Sequence, residues 1–520
     1  MPASERAPEQ RAPEQRAPEQ RAPEQRAPEQ EAREFAVAFR RFLDWVHSDP
    51  GAADNEVSVL VRGHLGDDGQ HHSVVNRELP RYEHVNLQTA LNAWSARDGR
   101  TVEVHGVALP PHYGGLSLQQ LVAGEGLPPL RLSAPALADL PNGPDSTLGC
   151  LRLALLLVTD EFGRYVVMVE GPAEHRPNLE LEVGGLPVEA AQGLLAELDR
   201  LRSELNVYRG HLLDASIDPM GGVILSFARP AGIRRDDVIL PGAVLNRVER
   251  HALGVAAHRD ALLAVGQHLK RGLLLFGPPG TGKTHTTRYL LGQMTGYTRL
   301  VLTGRALHAV GAITELARGL LPAVVVLEDV DLVAEERSMG PAANPVLFDL
   351  LDAMDGAAPD ADLLFLLTTN RSDLLEPALA ARPGRVDVAV EIALPDPVAR
   401  ERLLRLYGRN VPLELTEEEV GQAVERTDGT TASFLKELIR RSVLEALPDD
   451  PALSAVTGAH VSRALDDLLD SAQAVSRTLL GVGVDPTTLP AGALADGPGP
   501  GRPQFARARA IRMMHRPFPG

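Results

Sequence analysis

A chain of 520 residues has length for several domains with real cores, and 44% apolar content is that of folded protein. A net charge of −17 argues against a general binder of nucleic acid or anionic membrane. The single cysteine, Cys150, excludes internal disulfides and multi-cysteine zinc sites and fits a reducing cytoplasm. The first residues lack the apolar core of a signal peptide, and no apolar run approaches the roughly 20 residues of a spanning helix. The expectation is a cytoplasmic protein with no membrane span.

In chain order, residues 6–30 repeat Arg-Ala-Pro-Glu-Gln five times. A proline every fifth residue defeats helix and sheet, so residues 1–30 are expected to form a disordered, solvated tail. Phe35, Phe39, Phe42 and Val46 recur at helical spacing and predict an amphipathic helix. Residues 56–61, Glu-Val-Ser-Val-Leu-Val, read as a strand, and Leu87, Leu91 and Trp94 mark a short helix. Strands follow at Thr101–Val107, Leu151–Val158 and Tyr165–Glu170, the last two joined by a hairpin turn. Residues 31–185 thus read as a smaller α+β domain without a catalytic constellation. Leu194, Leu198, Leu201, Leu205, Tyr208 and Leu212 alternate three and four apart, as on one helix face. Such a helix would serve as an arm between subunits or pack between domains. Residues 186–235 are therefore expected as a helical connector and linker, with a strand at Val223–Phe227.

From residue 236 to 396, apolar strands alternate with helices, the pattern of a parallel sheet covered on both faces. Four amphipathic helices without strands fill 397–472 and predict a helical lid subdomain. Residues 473–520 become Pro/Gly-rich and end in an acid-free stretch with Arg502, Arg507, Arg509, Arg512 and Arg516, expected as a disordered tail.

The chemistry concentrates after the strand Gly272–Phe276. Gly277, Pro278, Pro279, Gly280, Thr281, Gly282, Lys283 and Thr284 match G-x-x-x-x-G-K-[ST], with His285 next in the candidate ligand-binding set. Glycines let backbone N–H groups curl around a polyphosphate, Lys283 reaches the outer phosphates, and the Thr284 hydroxyl can ligate Mg²⁺. Val324–Leu327 is a fully apolar strand ending in Glu328 and Asp329. Carboxylates at a strand's C-terminal end face the ligand crevice; one can hold Mg²⁺ and the other deprotonate water. The next strand ends in Asn370, whose amide can position that water. Arg382 and Arg385, around a Pro-Gly turn, suit donation to phosphate oxygens from a neighbouring subunit.

With Leu350–Gly356 and Thr368–Leu379 added, residues 236–472 resemble an AAA-family ATPase module, of the subgroup with membrane-fusion, proteasomal and ubiquitin-segregase ATPases. The fold implied is α/β: a P-loop NTPase parallel sheet with a helical lid, here preceded by the α+β domain. The resemblance implies ATP and Mg²⁺ as cofactors, held by Lys283, Thr284 and Glu328. It makes Glu328-Asp329 the Walker B pair with Asp329 as base, Asn370 the first sensor, and Arg382 and Arg385 fingers acting in trans. It also implies a ring, usually a hexamer, that remodels a client, with no zinc protease attached because His-Glu-x-x-His is absent. Three departures stand out. The acidic pair reads Glu-Asp rather than Asp-Glu, the second sensor region reads Gly429-Thr-Thr-Ala-Ser433, and Thr303–Gly311 lacks the aromatic that grips a threaded chain. The reading is an ATP-hydrolysing remodeller of a protein client. The alternatives are a nucleotide-controlled assembly switch and a DNA-handling ATPase, the acidic charge weighing against the last.

Overall fold

The computed structural model describes residues 33, 35–42, 55–110, 115–124, 127, 129–173, 176–331, 358, 360–371 and 386–470. Residues 35–42 are helical, with Phe35, Phe39 and Phe42 exposed. The two tails, the segments 350–356 and 374–379, and Arg382 and Arg385 lie outside the described residues.

The first globular unit begins with helix α1 (Glu56–Gly69), where a strand was expected. Val57 and Val61 alternate as a strand would, but Leu65 continues the same stripe at helical spacing and all three are buried. Asn55 caps the helix by accepting from the Ser58 N–H. Then come β1 (Val75–Leu79), helix α2 (His84–Ser95), β2 (Thr101–Ala108), β3 (Arg131–Ser133), β4 (Ala136–Gly143), β5 (Ser146–Asp160), β6 (Gly163–Glu170) and β7 (Leu179–Gly184). The order is β1-β7-β6-β5-β2-β3, with β4 also on β5, and every pairing is antiparallel.

This sheet is covered on both faces. Leu155, Leu157, Val166 and Met168 pack with α1, while Leu156, Val158, Tyr165, Val167 and Val169 pack with α2 and helix α3 (Val188–Glu204). That explains why the antiparallel strand β5 reads as a continuous apolar run instead of alternating. The leucine repeat of 194–212 does not form one helix. Helix α3 ends at Glu204, its Leu194, Leu198 and Leu201 buried in the first unit's own core, and Leu212 opens a strand.

That strand, β8 (Leu212–Ile217), pairs with β9 (Val223–Ala228) as an antiparallel hairpin. Residues 186–235, expected as connector and linker, therefore divide between a helix of the first unit and a hairpin of the second sheet. Helix α4 (Gly242–Glu249), β10 (Arg271–Phe276), helix α5 (Lys283–Gln293), β11 (Thr298–Thr303), helix α6 (Val310–Gly319), β12 (Ala323–Glu328), β13 (Leu363–Thr369) and β14 (Val388–Glu391) complete this body. The order is β14-β10-β13-β12-β11-β8-β9, parallel throughout except for the β8–β9 edge. The strand pattern from 236 to 396 is as expected; the added hairpin is not, nor is the short parallel pair Leu413–Glu414 with Val456–Thr457 in the lid, where helices without strands were expected.

Helices α7 (Pro397–Gly408), α8 (Glu417–Arg426), α9 (Ala432–Ala446) and α10 (Gly458–Leu469) form the predicted lid around Phe434, Leu435, Leu438 and Leu465. Among the described residues, no helix is long and apolar enough to cross a membrane.

Candidate active site

The phosphate loop leaves β10 and enters α5, and its glycines are needed one by one. Gly277 has φ +144°, and a Cβ there would run into the Ile392 carbonyl. Gly280 has φ +77°, and a Cβ would come within 2.9 Å of the Ser433 hydroxyl. The N-terminus of lid helix α9 thus sits on the loop, where the Ser433 N–H donates to the Gly280 carbonyl at 3.1 Å.

Lys283 is buried, and its Nζ donates to the Gly277 and Pro278 carbonyls, both at 2.9 Å. Burial lowers its ammonium to about 8, against the pull of Asp329 and Asp331. The loop therefore holds a cation curled inside its own backbone. Glu328 stands at the end of β12. Burial pushes its carboxyl up, while Arg288 and Thr284 oppose the rise.

Asp329 follows in the left-handed region at φ +52°. Short polar residues tolerate that conformation better than long ones, a backbone reason for aspartate at this position. Its N–H donates to Thr368 Oγ1 at 3.0 Å, and its Oδ1 lies 3.5 Å from the Asn370 amide nitrogen. Burial first, then Asp331, raises the Asp329 carboxyl; Lys283 and Asn370 act against them. Lys283, Thr284, Glu328, Asp329 and Asn370 are thereby brought to one edge of the sheet.

One residue of this group has no counterpart among the residues the sequence singles out. Asp331 is buried and accepts from Thr369 Oγ1 at 3.0 Å, from the Asn370 N–H at 3.1 Å and from the Asn370 side-chain amide at 3.4 Å. Its signal is its position: it stands two residues after Asp329, near the same strand end. The exposed His285 ring donates to the Asp237 carbonyl at 3.0 Å. Asp237 also pairs with lid residue Arg409 at 2.7 Å, so His285 stands where lid and sheet body meet.

The donors and acceptors converge at the carboxyl ends of parallel strands, beneath a helical lid, with a glycine loop opening a helix. That placement defines a P-loop NTPase. Residues 273–394 match the family model described as ATPase family associated with various cellular activities (AAA), and the chain carries an AAA-family ATPase domain. It is 34% identical over 198 residues to the ATP-dependent zinc metalloprotease FtsH 4 of Sphaerobacter thermophilus, covering 35% of this chain and 30% of that protein. It is 29% identical over 221 residues to the ATPase family gene 2 protein homolog A of Homo sapiens, covering 40% and 24%. It is 28% identical over 200 residues to the cell division cycle protein 48 homolog of Archaeoglobus fulgidus, covering 36% and 27%. The chain spans less than a third of the length of these relatives.

Proposed function

We propose that this protein binds and hydrolyses ATP and works as a ring-forming remodeller of a protein client in the cytoplasm, with a homo-oligomer, a hexamer by family precedent, as its working state. The observation that carries the ATPase reading is the Asp329 carboxylate beside the Asn370 amide, on the same edge as Lys283. Lys283 would leave the loop carbonyls for the outer phosphates of ATP. Asp329, its carboxyl held above the ordinary range by burial, would take the proton of the attacking water that Asn370 orients. Arg382 and Arg385 would reach the phosphates of a neighbouring subunit's site, and such fingers contribute roughly 10³–10⁵ in rate in related chemistry.

Thr284 and Glu328 offer a hydroxyl and a carboxylate oxygen, a donor set that fits a hard cation such as Mg²⁺. Mg²⁺ would neutralise charge on the phosphates; holding it falls to these two side chains.

The assembly-switch reading has one observation in its favour. The stretch that would grip a threaded chain is a 3₁₀ turn, Gly304–Ala309, whose Ala306 and Leu307 are buried in the sheet body's core. Ala306 and Leu307 are thereby not free to grip a client, while Arg305 and His308 beside them are exposed; remodelling without threading is the form of the first reading supported here.

The test is Asp329→Asn, followed by nucleotide binding, turnover and sedimentation. The expected result is ATP affinity within a few-fold of the parent, kcat reduced by about 10²–10⁴, and an ATP-dependent increase in sedimentation coefficient. Undiminished hydrolysis would remove Asp329 as the base, and sedimentation indifferent to ATP would remove the ring.

A further inference from the structure

Residues 237–240 are shared between the sheet body and the lid. Val238 is buried with Leu245 and Val248 of α4 and Leu290 of α5, and Leu240 packs against the same core. Ile239, between them, packs instead into the lid core that holds Phe434 and Leu438. The backbone at Val238 is extended, at φ −98° and ψ 100°, so neighbouring side chains point opposite ways. This short segment is a strap with one face on each body.

Side chains bolt the strap to the body. Arg235 pairs with Glu249 of α4 at 2.9 Å and donates to Asn246 at 2.7 Å. Glu249 in turn accepts from the Tyr289 hydroxyl of α5 at 2.6 Å. The Asp237 carbonyl accepts from His285, the residue directly after Thr284. One charge crosses from the lid: Arg409, just past α7, donates to Asp237 Oδ1 at 2.7 Å. Arg234 holds the other oxygen of that carboxylate through its N–H at 3.1 Å and its Nε at 3.3 Å. The acceptor is thus fixed from the body side, and Arg409 brings the lid to it.

The lid meets the phosphate loop nearby. The Ser433 N–H, in the first turn of α9, donates to the Gly280 carbonyl at 3.1 Å. A nucleotide on Gly277–Thr284 would lie beneath that turn and leave as the lid tips away. We infer that Arg409 is a positioning residue of the nucleotide site: paired with Asp237, it holds the lid down on the phosphate loop and slows nucleotide release. The inference rests on the reading of Gly277–Thr284 as the nucleotide loop. Both partners lie outside the residues 273–394 that match the family model. The Arg409 side chain is 50% exposed, so solvent screens the pair and its effect is a modest factor.

The experiment follows release of a fluorescent ADP analogue by stopped flow, chased with excess unlabelled ADP. The proteins are the parent, Arg409→Gln, Asp237→Asn and the double variant, each full length. Melting temperatures check that each fold is kept. Arg409→Gln should release the analogue about two- to fivefold faster, with an association rate within about twofold of the parent. Added to Asp237→Asn, which has already lost the acceptor's charge, the same substitution should change release by less than about 1.5-fold. Release from Arg409→Gln at the parent rate, an equal acceleration in the Asp237→Asn background, or association slowed as much as release is quickened would each overturn the role. If Lys283→Ala binds the analogue as tightly as the parent, the reading of the phosphate loop falls as well. If Lys283→Ala loses the analogue and Arg409→Gln releases it at the parent rate, only the role of Arg409 falls.

Discussion

Asp331 shows how much of the site's geometry one buried side chain can hold. Its carboxylate accepts from Thr369 and twice from Asn370, so it fixes the backbone and the amide of the residue that faces Asp329. A carboxyl group that takes three hydrogen bonds from two neighbouring residues is a stiff anchor. Asp331→Asn keeps the shape but presents an NH₂ group to donors. The expected outcome is a drop in kcat of about tenfold or more, with nucleotide affinity within about twofold, because positioning rather than phosphate binding is lost. Steady-state ATPase assays with a parallel binding titration decide it; equal losses in affinity and kcat would point to general destabilisation instead.

Among the elements, β8 is the strand whose role changes most between sequence and fold. The leucine spacing through Leu212 has a helical period, yet residues at the right intervals do not make a helix unless a surface receives them. Helix α3 finds its surface on the first sheet and stops at Glu204; Leu212 and Leu213 find theirs on β11 and beneath it. Leu213 is fully buried in the core shared by the hairpin, β11, β12 and β13. Leu213→Ala should cost about 2–5 kcal/mol of stability if the hairpin is an integral part of this sheet. Urea unfolding followed by fluorescence measures it, and a loss below about 1 kcal/mol would mean the hairpin is loosely attached. The α1 segment teaches a related lesson: a six-residue window of alternating valines fits either period, and only Leu65 with the Asn55 cap separates them.

At the scale of the whole molecule, the two units meet through a small polar network within an apolar seam. The Val207 N–H donates to Asn86 Oδ1 at 2.9 Å, the Asn86 amide donates to Glu83 at 3.0 Å, and Arg202 pairs with Glu83 at 2.7 Å. The Tyr208 hydroxyl donates to the Tyr82 carbonyl at 2.7 Å, and Val85 and Cys150 pack with Leu213 and Leu225. Asn86 is fully buried, so its replacement leaves the Val207 N–H without an acceptor. Asn86→Ala should cost about 1–3 kcal/mol and speed hydrogen exchange in residues 205–211 more than in the lid. Acceleration confined to the first unit would mean the network stabilises that unit alone rather than the junction.

The candidate nucleotide site is largely legible in the amino-acid sequence. Phosphate binding requires a local sequence of glycines, lysine and hydroxyl, and Gly277–Thr284 supplies it within eight consecutive residues. The same holds for the apolar strands, since burial on both faces leaves the run Ala323–Leu327 no polar positions, and for lid helices whose stripes have to meet. Neighbourhood is not legible there. That β8 lies beside β11, that Asp331 anchors Asn370, and that Asn86 receives Val207 are contacts between segments far apart in the chain. Local propensity and periodicity record only which face of an element is apolar; which partner covers that face is decided when the cores are packed, and that choice brings Arg409 of the lid to Asp237.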